Sequence, residues 1–116
     1  MSKTQLWPAE LDALIAAPEH HQLLMENTKV RVLDTKIKPG ETTHVHTHQW
    51  PSVNYIMSWS DFVRRDGEGI VLVDTRKSSQ SPPSVIWMEP LEPHSLENVG
   101  ENLIHLIGVE VKPSTS

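Results

Sequence analysis

Gly40-Glu41-Thr42-Thr43-His44-Val45-His46-Thr47-His48 gathers three of the chain's seven histidines at alternate positions. Successive side chains of a β-strand point to opposite faces. An extended run here therefore predicts the imidazoles of His44, His46 and His48 on one face and Thr43, Val45 and Thr47 on the other. Neutral imidazole is the commonest protein ligand for zinc, copper, iron and nickel. Two of them at i and i+2 on one strand can reach a single ion, so the stretch reads as a comb of metal ligands.

Working outward, the flanking sequence is a series of short β runs separated by turn chemistry. Upstream, Val30 to Ile37 sets Val30, Val32, Asp34 and Lys36 against Arg31, Leu33, Thr35 and Ile37, and Pro39-Gly40 breaks the run. Before it, Gln22 to Met25 is a brief strand and Glu26-Asn27-Thr28-Lys29 a turn. Downstream, Gln49-Trp50-Pro51 interrupts and Ser52 to Met57 resumes. Asp61 to Arg65 and Ile70 to Thr75 flank the hairpin signal Asp66-Gly67-Glu68-Gly69. Lys77 to Pro83 is Ser- and Pro-rich and reads as a loop; Ser84 to Met88, His94 to Asn98 and Leu103 to Val111 complete the set. Near the N-terminus, Pro8 suits a first helical turn, and Leu11, Leu14 and Ile15 fall on one face. The expectation is one short helix, about 9–16, packed outside and ended by Pro18.

A chain of 116 residues is one domain large enough to bury a core. Without cysteine it has no disulfide, thiolate metal site or cysteine nucleophile, so nitrogen and oxygen must hold any metal. A net charge of −5 with scattered basic residues argues against nucleic acid. No apolar run approaches a membrane span and no secretory leader is evident, which makes the cytoplasm the default compartment. Eight or nine short strands after one helix predict an all-β jelly roll or small barrel, about 22–112. Inward histidines in such a barrel cost core packing unless they serve a ligand or bond one another; the other reading turns the comb outward. His20 and His21, being adjacent, face apart on an extended chain and cannot share an ion, and read as loop or strand-edge histidines.

Gly40, five residues and then His46-Thr47-His48 resembles the first motif of the cupin superfamily, and His94-Ser95-Leu96-Glu97-Asn98 resembles the ending of its second. The resemblance spans about Val30 to Val111. It implies a double-stranded β-helix, a divalent metal (Fe, Zn, Ni or Mn) on His46, His48 and His94, and frequent homodimers. Ser52 and Val53 stand where the family carries a metal-binding glutamate, and Leu91 where it carries a glycine. Three imidazoles without that carboxylate leave the ion's charge uncompensated and coordination positions open, a site suited to an anionic or chelating oxygen ligand; some cupin dioxygenases use such a three-histidine iron site.

Around this set, His44 is read as a further ligand or as part of the pocket wall. Ser52 is a hydroxyl near the ion, Asn98 a same-face neighbour of His94, and His105 a hydrogen-bonded strand histidine with a pocket-lining alternative. Trp50, Trp59 and Trp87 could bound a pocket, although packing is the usual role of such rings. Glu89, Glu92 and Glu97 read as a solvated rim around His94. No P-loop, nucleophile elbow or dinucleotide motif occurs, so no organic cofactor and no catalytic residue is assigned. The functional expectation is a small cupin that binds one divalent metal and acts on or binds a small organic molecule, with dioxygenase activity as one form of that reading. The alternative is a ligand-binding or accessory cupin without catalysis, and a metal-free structural barrel is the third reading. An N-terminal strand at a sheet edge independently suggests a homodimer.

Overall fold

The computed structural model describes residues 6–78 and 81–114. Nine strands follow one another: β1 His21–Glu26, β2 Val30–Ile37, β3 His46–His48, β4 Ser52–Ser58, β5 Phe62–Asp66, β6 Val71–Asp74, β7 Val85–Met88, β8 Leu91–Asn98 and β9 Ile104–Val111. They form a five-stranded sheet, β1-β2-β9-β4-β7, and a four-stranded sheet, β3-β8-β5-β6, in which every ladder is antiparallel. No helix among the described residues is long and apolar enough to cross a membrane.

The alternation in β2 sends Leu33 and Ile37 into the core together with Arg31, and β9 pairs with β2 along its whole length. Turn residues behave as their chemistry requires. Gly40 and Gly69 have φ of +83° and +90°, the region in which glycine has no steric penalty. Asn27 Oδ1 accepts from the amides of Lys29 and Val30, and Asp66 Oδ1 from those of Glu68 and Ile70, closing the β1–β2 and β5–β6 turns. Ser79 and Gln80, within the Lys77 to Pro83 loop, lie outside the described residues, and Thr75–Lys77 just before it is a 3-10 turn.

Two expectations are corrected. The N-terminal helix is two fragments, a 3-10 turn Ala9–Leu11 and a single α-helical turn Ala13–Ala16. Asp12 separates them because its extended backbone (ψ 143°) lets its carboxylate cap Leu14 N while also holding Arg31. The buried face is Ala13 and Ala17, and Ile15 is 63% exposed, since only a small side chain fits so close to the sheet. The second correction concerns the comb. Thr42 bridges Glu97, but His46 stands opposite His94, so this segment holds one residue more than its partner strand between the two pairings. That bulge reverses the side-chain alternation: Thr43 faces inward, His44 outward, and His46 inward again.

Candidate metal centre

His46 and His48 enter the space between the sheets from β3, His94 enters from β8 directly opposite His46, and His21 enters from the first residue of β1. His46 and His94 have ring centres 4.4 Å apart; those of His46 and His48 are 5.1 Å apart, and His21 lies 4.7 Å from His46 and 5.3 Å from His48. One ring nitrogen from each of His21, His46 and His48 falls within 4.8 Å of the other two. His94 stands closer to His46 than to His48, whose ring is 5.8 Å away.

Each ring has one nitrogen already engaged. His21 Nδ1 donates to Ala17 O (2.9 Å), His46 Nδ1 to His44 O (2.8 Å), His94 Nδ1 to Glu92 O (2.7 Å) and His48 Nδ1 to Glu110 Oε2 (2.8 Å). Carbonyl and carboxylate oxygens only accept, so every Nδ1 carries the proton, and in a neutral ring Nε2 presents a lone pair. No Nε2 of the four has a hydrogen-bond partner among the described residues, and none is sealed from open space. Burial, reinforced by His46 and His48, pushes His21 down to about 3; burial and His94 push His46 down to about 2; and burial, with help from His48, pushes His94 down to about 3. These three rings are therefore neutral at pH 7. Imidazoles oriented through Nδ1 with unpartnered Nε2 atoms are suited to a divalent cation, and His21, His46 and His48 are the three near enough to one another to hold it.

Behind His48 lies a charged chain that the sequence reading did not find. Glu110 Oε1 accepts from Arg31 Nε (2.8 Å), and the two terminal nitrogens of Arg31 reach both carboxylate oxygens of Asp12 at 2.9 and 3.0 Å. Asp12, Arg31 and Glu110 are all buried. Trp50 covers the guanidinium, its ring centre 5.1 Å from Arg31 Cζ. The available signal was phase: Glu110 shares the inward face of β9 with Ile104 and Gly108, and Arg31 that of β2 with Leu33 and Ile37.

The other candidates separate. His44, 71% exposed at its side chain, stands 3.9 Å from Glu19 and does not join the cluster. His21, assigned to a strand edge, does join it: His20 and His21 indeed face apart, with His20 turned to Glu41, and that frees His21 to meet histidines from β3. Ser52 lines the cavity and accepts from Asn54 Nδ2. Asn98 is no pocket residue. It is 1% exposed and staples the turn after β8, donating to Ile37 O and Asn102 O and accepting from Ser60 Oγ and Gly100 N. His105 points to the outer face, where Nε2 meets Asp34 Oδ1 at 2.7 Å, because β9 alternates and its inward phase belongs to Ile104 and Leu106. Trp59 borders the cavity against Phe62, whereas Trp87 is exposed and bonded to Glu89. In the rim, Glu97 pairs with Arg65.

The cavity beside the histidines holds about 170 Å³ and draws its walls from both sheets. Side chains such as Leu33, Ile37, Leu96, Ile104 and Leu106 make it largely apolar. Glu110 is the only carboxylate on its walls among the described residues, and both of its oxygens are engaged.

Two facing antiparallel sheets enclosing a histidine-ended cavity make this the cupin fold, a double-stranded β-helix. Solved structures agree. A cupin domain from Bordetella pertussis Tohama I superposes with a TM-score of 0.64 at 18% identity, over 80% of this chain and 92% of that one. A conserved protein with a double-stranded β-helix domain from Klebsiella pneumoniae gives 0.54 at 19% identity, over 80% and 75%. A predicted oxalate decarboxylase from Thermotoga maritima gives 0.50 at 20% identity, over 80% and 79%. No protein-family model matches the chain, and none of the curated proteins does.

Proposed function

We propose that this cupin holds one divalent metal ion on His21, His46, His48 and His94 and binds a small organic molecule in the adjoining cavity, as a metal-dependent oxygenase. The observation that carries the metal reading is the set of four Nε2 atoms without partners, each on a ring whose Nδ1 is already committed. His21 stands in for the glutamate that Ser52 and Val53 replace. An ion held there supplies Lewis-acid binding of an oxygen ligand and, if redox-active, electrons for dioxygen. The chain's own contributions are orientation and exclusion of water. Glu110 holds the proton on His48 Nδ1, the carbonyls of Ala17, His44 and Glu92 do the same for the other rings, and the apolar walls keep the site dry. Oxygenase chemistry is favoured over proton-transfer chemistry because the walls offer no uncommitted carboxylate among the described residues.

The test is metal content by mass spectrometry on untagged protein beside a His46→Ala/His94→Ala double variant. About one equivalent is expected in the parent and almost none in the variant, followed by oxygen consumption with iron(II). A parent that takes up no iron, zinc or nickel sinks the reading. If metal binds and no oxidation of any cavity-sized molecule is found, the site is a ligand-binding one.

A second copy of the chain is the partner we propose for β1. This strand ends its sheet among the described residues, with one set of main-chain groups left unpaired by them, and its Leu23, Leu24 and Met25 side chains are exposed. Light scattering at micromolar concentration is expected to give twice the chain mass; a mass near one chain refutes the dimer.

A further inference from the structure

The cavity carries one charge that no hydrogen bond or ion pair answers among the described residues. Of the chain's four arginines, Arg31 is paired with Asp12 and Glu110, Arg65 with Glu97 and Arg76 with Asp74. Arg64, on β5 opposite Leu96, has no hydrogen bond or ion pair among the described residues, although it is half-buried and lines the cavity. Leu96 follows His94 by two positions on the inward face of β8, and Arg64, paired with Leu96, lines the cavity one row from that histidine. The carboxylate that acts on Arg64 is Glu92, yet the two form no ion pair, and burial disfavours the charge of Arg64. An unpaired guanidinium in an apolar wall forfeits hydration, and an arriving anion restores that loss through two parallel N–H···O bonds.

We propose that Arg64 sets the ligand class: a small organic acid whose carboxylate pairs with Arg64 at the histidine end while its apolar body fills the space between the sheets. This rests on reading the cavity as the ligand site. A carboxylate fits better than a phosphate ester. The wall offers one cation besides the imidazoles, which answers the single charge of a carboxylate and leaves the second charge of a phosphate ester unmatched. Most of the remaining surface, from residues such as Leu33, Ile37, Ile104 and Leu106, is apolar and suits a hydrocarbon body.

The experiment is calorimetric titration of the as-purified chain at neutral pH with propanoate, pentanoate, heptanoate and benzoate, each beside its neutral amide, and with inorganic phosphate. At least one acid is expected to bind roughly ten-fold or more tightly than its amide. Arg64→Gln should abolish that preference while leaving metal content unchanged, and Arg64→Lys should restore part of it, keeping the charge without the fork. No binding by any acid, equal binding of acid and amide, or undiminished acid binding by Arg64→Gln overturns the proposal; so does Arg64-dependent binding of phosphate alone. The acid-to-amide ratio reads the proposal even where a variant folds poorly. Arg64-dependent acid binding by a chain that takes up no metal would sink the metal centre alone. Metal uptake without acid binding would sink this inference alone.

Discussion

Replacing Arg31 with methionine is expected to lower stability by about 3–5 kcal/mol, because removing one member of a buried charge network leaves its partners uncompensated. Arg31 alone neutralises two carboxylates, Asp12 through two bonds and Glu110 through one, and all three groups are withdrawn from water. Methionine fills similar space but leaves both carboxylates to take up protons or water. For a domain of this size such a loss corresponds to a fall in Tm of about 10 °C or more. Urea unfolding of the metal-free protein measures it. A loss below about 1 kcal/mol would mean that the network is solvated and contributes as surface pairs do. The same substitution frees Glu110, which sets the tautomer of His48, so metal affinity is expected to fall as well, about 10- to 100-fold. The network thus links the N-terminal turn at Asp12 to the histidine cluster: what anchors the first helix also orients a ring in the site.

Acid is expected to unfold the metal-free protein under mild conditions. His21, His46 and His94 have native values near 3, 2 and 3, whereas the unfolded chain takes up protons near 6.5. Below about pH 6.5 the unfolded state therefore binds more protons than the native state. Stability from these groups is fully present above that pH and is lost progressively as pH falls toward the native values. Each ring that stays neutral in the native state and is protonated in the unfolded state adds about 1.4 kcal/mol per pH unit to the slope. Three such rings together give a descent of up to about 4 kcal/mol per pH unit. Denaturant midpoints at intervals from pH 7.5 to pH 4.5 measure this. A His46→Gln variant should show a shallower slope, and a parent midpoint independent of pH through this range would contradict the assignment of neutral, buried rings. A bound divalent ion holds the rings deprotonated and should move the whole transition to lower pH.

Much of the architecture was legible because local rules and the fold agree. The period-two pattern of β2 gave its limits, Val30–Ile37, and its inward face. The turn chemistry at Gly40, Asn27 and Asp66-Gly67-Glu68-Gly69 marked the connections where they occur. His46, His48 and His94 were grouped by their resemblance to two motifs; the pairing of β3 with β8 sets His94 beside His46, while the nitrogens that lie within 4.8 Å of one another are those of His21, His46 and His48. The rest needed partners far away in sequence. His44 left the group because one extra residue against β8 reversed the alternation, and nothing in Thr42 to His46 read alone reveals a bulge. His21 was set aside by a correct rule, that neighbours on a strand diverge, applied without knowing that β3 would lie across from it.

The sequence by itself determined the strand periods, the turns, the absence of thiol chemistry and the presence of a histidine pair able to share an ion. These depend on residues within a few positions of one another, where backbone geometry dictates side-chain direction. Only the tertiary structure decided which charges are buried and what they touch. Glu110 meets His48 across 62 positions of sequence and Arg31 across 79, while Arg64 is left with no hydrogen bond or ion pair among the described residues. Whether a polar side chain becomes a ligand, a support or a free charge depends on the groups that close the space around it, and sheet pairing alone brings those groups together.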